Sequence, residues 1–311
     1  MTRRVAAIDC GTNSIRLLVA DVDPQAGTLV DLDRRMEVVR LGQGVDRTGR
    51  LAPEALDRTL DATVRYAGAI DAFGADAVRF VATSASRDAE NRDDFVDGVR
   101  AILGIEPEVV SGEEEAALSF AGATRELAAD GVPGPYLVAD IGGGSTELVL
   151  GDGSGVRAAR SVDVGCVRLT ERHFAADPPT RAQVAAARED AEAAISLAAQ
   201  TVPLREARTL VGVAGSVTTV AAMALDLPGY DSRAIHRARI SADDVRDVTE
   251  RLLSSTAAER AALPFMHPGR VDVIGAGALL LAALVDRLAA GEVVVSEHDI
   301  LDGIAWSLAG A

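Results

Sequence analysis

The sequence predicts an α/β protein with mixed sheets and two domains. Apolar segments typical of buried strands alternate along the chain with segments of helical periodicity. With 311 residues, the chain exceeds the size at which one hydrophobic core stays efficient. The segment around Asp9 recurs at Asp140, where Asp, Gly, Ser and Leu stand at the same spacing. This repeat predicts two domains of related fold that face each other.

Short apolar runs bounded by turn residues predict the strands. They are Val5–Ile8, Arg16–Asp21, Leu29–Leu41, Val78–Ala82, Glu106–Ser111, Tyr136–Ala139, Glu147–Gly151, Leu210–Val213 and Val293–Ser296. Helical spacing of apolar residues, with Pro or acidic residues at the start, predicts the helices. They begin at Pro53 and Ala214 and cover Asn91–Leu103, Ala116–Ala123, Arg181–Gln200, Ala242–Leu253, Asp272–Ala290 and Asp299–Leu308. The segment from Ala128 to Pro135 is predicted to be a linker.

Composition narrows the functional classes. The net charge of −16 argues against a protein that coats nucleic acid, since such binding depends on a basic surface. All 31 basic residues are Arg, so a Walker A motif, which needs Lys, is excluded. No apolar stretch is long enough for a membrane span, and Cys10 and Cys166 form no disulfide framework. We therefore expect a cytoplasmic protein without membrane partners.

The turn after Asp140 carries the clearest functional signal. Gly142, Gly143 and Gly144 allow close approach of the backbone to a ligand, and their N–H groups can converge on phosphate oxygens. Asp140 ends a buried strand, where its carboxylate could hold Mg²⁺. Ser145 and Thr146 add hydroxyl groups. A plain hairpin turn is the alternative, although three glycines exceed what a hairpin needs.

The matching turn after Asp9 contains Gly11, Thr12, Asn13 and Ser14. Taken alone it reads as an ordinary turn, because these residue types are common between strands. Its correspondence with the second turn predicts that both hold a phosphate chain, one from each domain.

Three further segments are candidates, each with a structural alternative. Glu115 closes an acidic cluster at a helix start, where it could orient water or simply favour the helix dipole. Arg87 follows a strand end, where it could bind phosphate or lie on the surface. Gly215 and Ser216 begin a helix, where they could contact phosphate or serve close packing.

Five ordered motifs resemble the exopolyphosphatase and guanosine pentaphosphate phosphohydrolase family, within the actin, sugar kinase and heat-shock ATPase fold group. The motifs are Ala7–Ser14, Ala82–Asn91, Ser111–Ala116, Asp140–Glu147 and Pro268–Ile274. The resemblance covers almost the whole chain. It implies two ribonuclease-H-like domains with an interdomain active-site cleft. The implied boundaries are 1–123 with a C-terminal helix at about 300–311, and 124–299.

The resemblance implies roles for the candidate residues. Glu115 would activate water, Glu147 would lie near the attacking water, and Asp140 would bind Mg²⁺, with Mn²⁺ as a substitute. Asp9, the counterpart of Asp140 in the repeat, is the second predicted metal ligand. The predicted phosphate contacts are Gly11, Thr12, Asn13, Ser14, Arg87, Gly142, Gly143, Gly144, Ser145, Thr146, Gly215 and Ser216.

The implied activity is release of terminal phosphate from polyphosphate. The chain lacks the additional C-terminal domains of longer members, so short polyphosphate chains are the expected substrates, and a homodimer is the expected assembly. Guanosine pentaphosphate ends in the same group and stays open as a substrate. A non-hydrolysing regulator that senses these ligands and a kinase of the same fold group are further alternatives, which the presence of Glu115 disfavours.

Overall fold

The computed structural model describes residues 1–310, and the side chains of Ala128 and Ala129 lie outside that description. The first half of the chain forms β1 Arg3–Cys10, β2 Ser14–Asp23, β3 Thr28–Val38, α1 Val45–Thr48, α2 Pro53–Phe73, β4 Ala77–Ala82, α3 Ser84–Asp88, α4 Arg92–Leu103, β5 Glu108–Val109 and α5 Gly112–Ala129.

The second half begins with a hairpin and ends with a helix. Its elements are β6 Tyr136–Ile141, β7 Thr146–Asp152, β8 Gly155–Val162, α6 Cys166–His173, α7 Arg181–Ala198, β9 Thr209–Val213, α8 Ala214–Ala224, α9 Ser232–Ile235, β10 Arg239–Ser241, α10 Ala242–Ser254, α11 Ala257–Ala261, α12 Ile274–Leu288, β11 Glu292–Val295 and α13 Ile300–Leu308, with 3₁₀ turns at Leu204–Glu206 and Pro268–Arg270.

The contacts divide the chain into two compact units. The first contains Met1–Gly122 and Ile300–Ala311, and the second contains Ala123–Asp299. Within the described residues, no helix is long and apolar enough to cross a membrane.

The sheet of the first unit has the order β3-β2-β1-β4-β5. β1, β2 and β3 form an antiparallel meander, and β4 and β5 extend it in parallel. One face is covered by a core that includes Tyr66 of α2 and Phe95 of α4. The other face packs against α5 and α13, where Leu118 and Trp306 belong to a second core.

The sheet of the second unit has the order β10-β11-β9-β6-β7-β8. β6, β7 and β8 repeat the antiparallel meander, and β9 and β11 repeat the parallel extension. Every residue of β6 is buried, as expected for a central strand with covered faces. Both units thus have the ribonuclease-H-like strand order, and the predicted α/β class with mixed sheets is confirmed.

All nine predicted strands are present, but some boundaries were wrong. The helix predicted for Ala116–Ala123 runs from Gly112 to Ala129, so the predicted linker starts inside it. The strand predicted for Glu106–Ser111 has only two residues, Glu108 and Val109. β8 was missed because nearly all of its residues are exposed or only partly buried, and it lacks a continuous apolar run.

Candidate functional site

The turn between β1 and β2 is closed by a hydrogen bond from the N–H of Gly11 to the carbonyl of Ser14, at 2.9 Å. The carbonyl of Asn13 accepts from the N–H groups of Val39 and Arg40. The hydroxyl of Thr12 lies 2.9 Å from that of Ser84, in the buried start of α3. The turn is therefore fixed from two sides at the carboxyl end of β1.

Asp9 and Arg16 lie directly opposite each other across this hairpin. Nε and Nη2 of Arg16 donate to Oδ2 of Asp9 at 3.0 and 2.6 Å. The Asp9 side chain is almost fully buried. In the first hairpin, the Arg16 guanidinium thus offsets the charge of the Asp9 carboxylate. Metal binding by Asp9 stays a prediction.

Arg87 and Glu115 meet in the first unit. Nη1 of Arg87 donates to Oε2 of Glu115 at 3.1 Å and to the carbonyl of Val110 at 3.0 Å. Because β4 and β5 are parallel neighbours, α3 and α5 start at the same edge of the sheet. The Glu115 side chain is 9% exposed. The sequence treated these residues as separate candidates, and the structure makes them a pair.

The turn between β6 and β7, called the glycine turn because it contains Gly142, Gly143 and Gly144, is closed in the same way as the turn between β1 and β2. The N–H of Gly142 donates to the carbonyl of Ser145 at 3.1 Å. The carbonyls of Gly142 and Gly143 accept from the N-terminal N–H groups of α6, and the carbonyl of Gly144 accepts from Nε of Arg168 at 2.8 Å.

These contacts determine where the N–H groups of the turn point. In a trans peptide, the N–H and the preceding C=O point in opposite directions. Since the carbonyls of Gly142, Gly143 and Gly144 face α6, the N–H groups of the next residue in each case point away from it. The N–H groups of Gly143, Gly144 and Ser145 therefore point to the same side of the turn, as an anion-binding turn requires.

Gly165 allows α6 to approach this turn. A Cβ at Gly165 would lie 2.4 Å from the carbonyl oxygen of Gly143 and 2.7 Å from that of Gly142. Backbone atoms of the turn cannot move aside without losing the contacts to α6. Only glycine fits here, so Gly165 is a supporting residue that the sequence analysis missed.

Asp140 and Glu147 lie directly opposite each other in the β6–β7 hairpin. Their side chains share one face, and Cβ atoms of such pairs are about 5 Å apart. Asp140 is 7% exposed and Glu147 is 1% exposed. The hydroxyl of Ser161 on β8 donates to Oε1 of Glu147 at 2.7 Å and orients it. The second hairpin thus brings two buried carboxylates together where the first pairs Asp with Arg.

Ser145 and Thr146 are both buried. The hydroxyl of Thr146 donates to the carbonyl of Val164 at 2.6 Å, so its proton already takes part in a structural hydrogen bond. A phosphate contact from Thr146 stays a prediction.

Gly215 and Ser216 lie in the first turn of α8. Asp140 and Val213 are neighbours on parallel strands, so α8 starts at the same sheet edge as the glycine turn. Nη1 of Arg270 donates to the carbonyl of Gly215 at 2.6 Å, and a Cβ at Gly215 would overlap the guanidinium. Ser216 packs closely against Gly277 of α12. Ala214, in the left-handed region with φ 67°, makes the sharp entry into α8.

Within each unit, the structure brings most predicted residues to the carboxyl edge of the parallel strands. This is where open α/β sheets bind ligands. Four residues with contacts in these sites were not predicted from the sequence: Arg16, Ser161, Arg168 and Arg270. Arg16 could have been found, because the repeat aligns it with Glu147. Ser161 and Arg168 lie in elements that carry no glycine or acidic motif.

Each α/β unit has a polar, glycine-containing turn at the carboxyl edge of its sheet. This arrangement is typical of ligand-binding proteins of the ribonuclease-H-like class. The chain belongs to the Ppx/GppA phosphatase family, whose model matches residues 18–310.

Three similar proteins are informative. Exopolyphosphatase 2 of Mycobacterium tuberculosis is 51% identical over 318 residues, covering 99% of each chain. The crystal structure of an exopolyphosphatase-like protein is 44% identical, with a TM-score of 0.93 and 99% coverage of each chain. A guanosine-5′-triphosphate,3′-diphosphate pyrophosphatase of Aeromonas salmonicida is 29% identical. The matched region covers 98% of this chain and 59% of the length of that protein.

Proposed function

We propose that this protein is an exopolyphosphatase that hydrolyses the terminal phosphoanhydride bond of inorganic polyphosphate, with short chains as substrates. The full-length similarity to exopolyphosphatase 2 of Mycobacterium tuberculosis supports the substrate. The observation that carries the chemistry is the pair of buried carboxylates, Asp140 opposite Glu147.

This pair fits a divalent cation. The two carboxylates lie directly opposite each other on one face of the hairpin, so their oxygens can reach the same ion. Carboxylate oxygens are the ligands that Mg²⁺ prefers, and Mn²⁺ accepts the same donors. We assign Asp140 as the metal ligand, with Glu147 beside it, and Asp9 as a weaker candidate because Arg16 already binds its carboxylate. The bound cation would offset negative charge on phosphate oxygens.

The glycine turn is assigned to phosphate binding. The N–H groups that follow Gly142, Gly143 and Gly144 point to one side, and they need no charged side chain to attract an anion. The start of α8, with Arg270 against Gly215, adds N–H groups and positive charge at the same sheet edge. In the first unit, the turn at Gly11–Ser14 is assigned to the same role.

Glu115 is assigned as the base that activates water. Arg87 donates to Oε2 of Glu115 and so holds the carboxylate at the edge of the sheet where it would orient a water molecule, and the Arg87 guanidinium is assigned to phosphate binding. In-line attack of that water on the terminal phosphorus would break the bond to the bridging oxygen and release phosphate. Glu147, held by Ser161, is the alternative base.

The test is phosphate release from a polyphosphate length series and from guanosine pentaphosphate, measured side by side with Mg²⁺. We expect the highest kcat/KM for short polyphosphate. A higher value for guanosine pentaphosphate would favour the activity that the Aeromonas salmonicida relative's name describes. Tight binding without phosphate release would instead favour a ligand-sensing regulator. We also propose a cytoplasmic homodimer, which cross-linking and scattering would test.

A further inference from the structure

Two imidazoles and a carboxylate form a cluster in the second unit, apart from the residues assigned above. Glu126 lies on α5, His236 follows α9, and His298 lies between β11 and α13. One ligand atom of each lies within 4.8 Å of the other two. Nε2 of His236 is 3.1 Å from Oε2 of Glu126, and Nδ1 of His298 is 3.7 Å from the same oxygen.

The backbone fixes one imidazole directly and the main chain of the other. The N–H of Glu297 donates to Nδ1 of His236 at 3.2 Å. The hydroxyl of Ser296 accepts from the backbone N–H of His298 and donates to the carbonyl of His298. The two rings lie 4.4 Å apart between centroids. The cluster therefore brings both rings against each other beside Glu126.

We propose that Glu126, His236 and His298 form a site for a divalent transition-metal ion, Zn²⁺ being the best match. Two imidazole nitrogens and one carboxylate oxygen are a common ligand set for Zn²⁺. Ligands of a tetrahedral zinc ion are about 3.3 Å apart, so the observed separations need only small side-chain movements. The side chains are 14%, 31% and 50% exposed for His236, His298 and Glu126, so water can reach a fourth position.

Metal binding replaces two hydrogen bonds. Because Nδ1 of His236 accepts from Glu297, its ring proton lies on Nε2 and points at Glu126. A zinc ion on Nε2 replaces the hydrogen bond to Glu126, and the proton moves to Nδ1, which breaks the bond from Glu297. Two hydrogen bonds are lost while three metal bonds form. Arg237, next to His236 in the chain, is paired with Asp130, which limits its repulsion of the metal.

This site differs in chemistry from the one assigned to Mg²⁺. Asp140 and Glu147 offer only oxygen, whereas the cluster offers two nitrogens, which suit Zn²⁺ and Ni²⁺ better than Mg²⁺. Excess Mg²⁺ should therefore occupy the carboxylate pair and leave the cluster for zinc.

The test is calorimetric titration of Zn²⁺ into the full chain, without an affinity tag and in excess Mg²⁺. His236→Gln, His298→Gln and Glu126→Gln each remove one ligand, and Glu126→Gln changes a half-exposed residue that should leave the fold intact. His173→Gln is the matched control, because His173 pairs with Asp190 at 3.0 Å in an arrangement of the same type outside the cluster.

We expect one zinc ion per chain in the wild type and in His173→Gln. Changes beyond the direct ligands already weaken metal affinity by about 10–100-fold, so loss of a ligand should weaken it by at least about 100-fold. Zinc should also raise the melting temperature of the wild type and of the control alone. No zinc binding by the wild type, or binding that survives Glu126→Gln and His236→Gln, would overturn the proposal.

Discussion

Asp140 lies directly opposite Glu147 in the second hairpin, and both carboxylates are buried. The corresponding pair in the first hairpin is Asp9 and Arg16, joined by two hydrogen bonds. The same hairpin position therefore holds Arg opposite Asp in one unit and Glu opposite Asp in the other. This difference supports the proposal that the second hairpin binds the cation.

Mg²⁺ binding should stabilise the folded protein, because a ligand that binds only the folded state raises its stability. Asp140→Asn removes the proposed metal ligand. We expect Mg²⁺, relative to EDTA, to raise the melting temperature of the wild type by more than that of the variant.

Asp152→Asn is the matched control for this measurement, since it removes a carboxylate from β7 outside the pair. Asp152 is bound by Ser154 and Arg157, so its loss should leave the Mg²⁺-dependent rise in melting temperature unchanged. An equal rise in Asp140→Asn and in the wild type would show that Asp140 does not bind the cation.

Glu115→Gln should keep substrate binding but lower kcat, because the amide cannot accept a proton from water. General-base catalysis contributes about 10²–10⁴-fold, and we expect a loss in that range. Glu114→Gln is the control, since Glu114 pairs with Arg79 and is half-exposed. Steady-state kinetics on short polyphosphate would measure both, and near-normal turnover by Glu115→Gln would remove it from the base role.

Ser161→Ala tests how Glu147 is oriented. The Ser161 hydroxyl donates to Oε1 of Glu147, so its loss removes one of the contacts that orient this buried carboxylate. We expect kcat to fall by about 10-fold with KM nearly unchanged, since the interaction supports the reaction rather than binding. Ser161→Thr, which keeps the hydroxyl, should restore most of the rate, and a change in KM alone would contradict this assignment.

The sequence predicted the fold well because its signals are local. Buried strands such as β6 are continuous apolar runs, and the repeated turns carry the same glycine and serine. The pairing of Arg87 with Glu115 could not be predicted, because it depends on β4 and β5 being neighbours. Likewise, the sequence around Gly165 does not show that glycine is required there. The requirement follows from the packing of α6 against the glycine turn, which leaves no room for a Cβ.

His267 should make stability depend on pH. Burial, and then the charge of Arg270, lower the pKa of His267 below its ordinary value of 6.5. Its Nδ1 accepts from the N–H of Gly269, which also favours the neutral ring. The unfolded chain therefore binds the proton more readily, and stability falls as pH drops below 6.5.

His267→Asn keeps an acceptor for Gly269 but does not titrate. Urea unfolding at a series of pH values should show a smaller loss of stability toward acid in the variant than in the wild type. Parallel curves for the two proteins would show that His267 does not contribute.

The most direct test of the assignment is calorimetric titration of Mg²⁺ into the wild type, Asp140→Asn and Asp9→Asn. The two variants change corresponding positions of the repeat, so they are matched. We expect Asp140→Asn to lose most of the Mg²⁺ affinity and Asp9→Asn to retain most of it. Full affinity in Asp140→Asn, or a larger loss in Asp9→Asn, would contradict the assignment of the metal to the second hairpin.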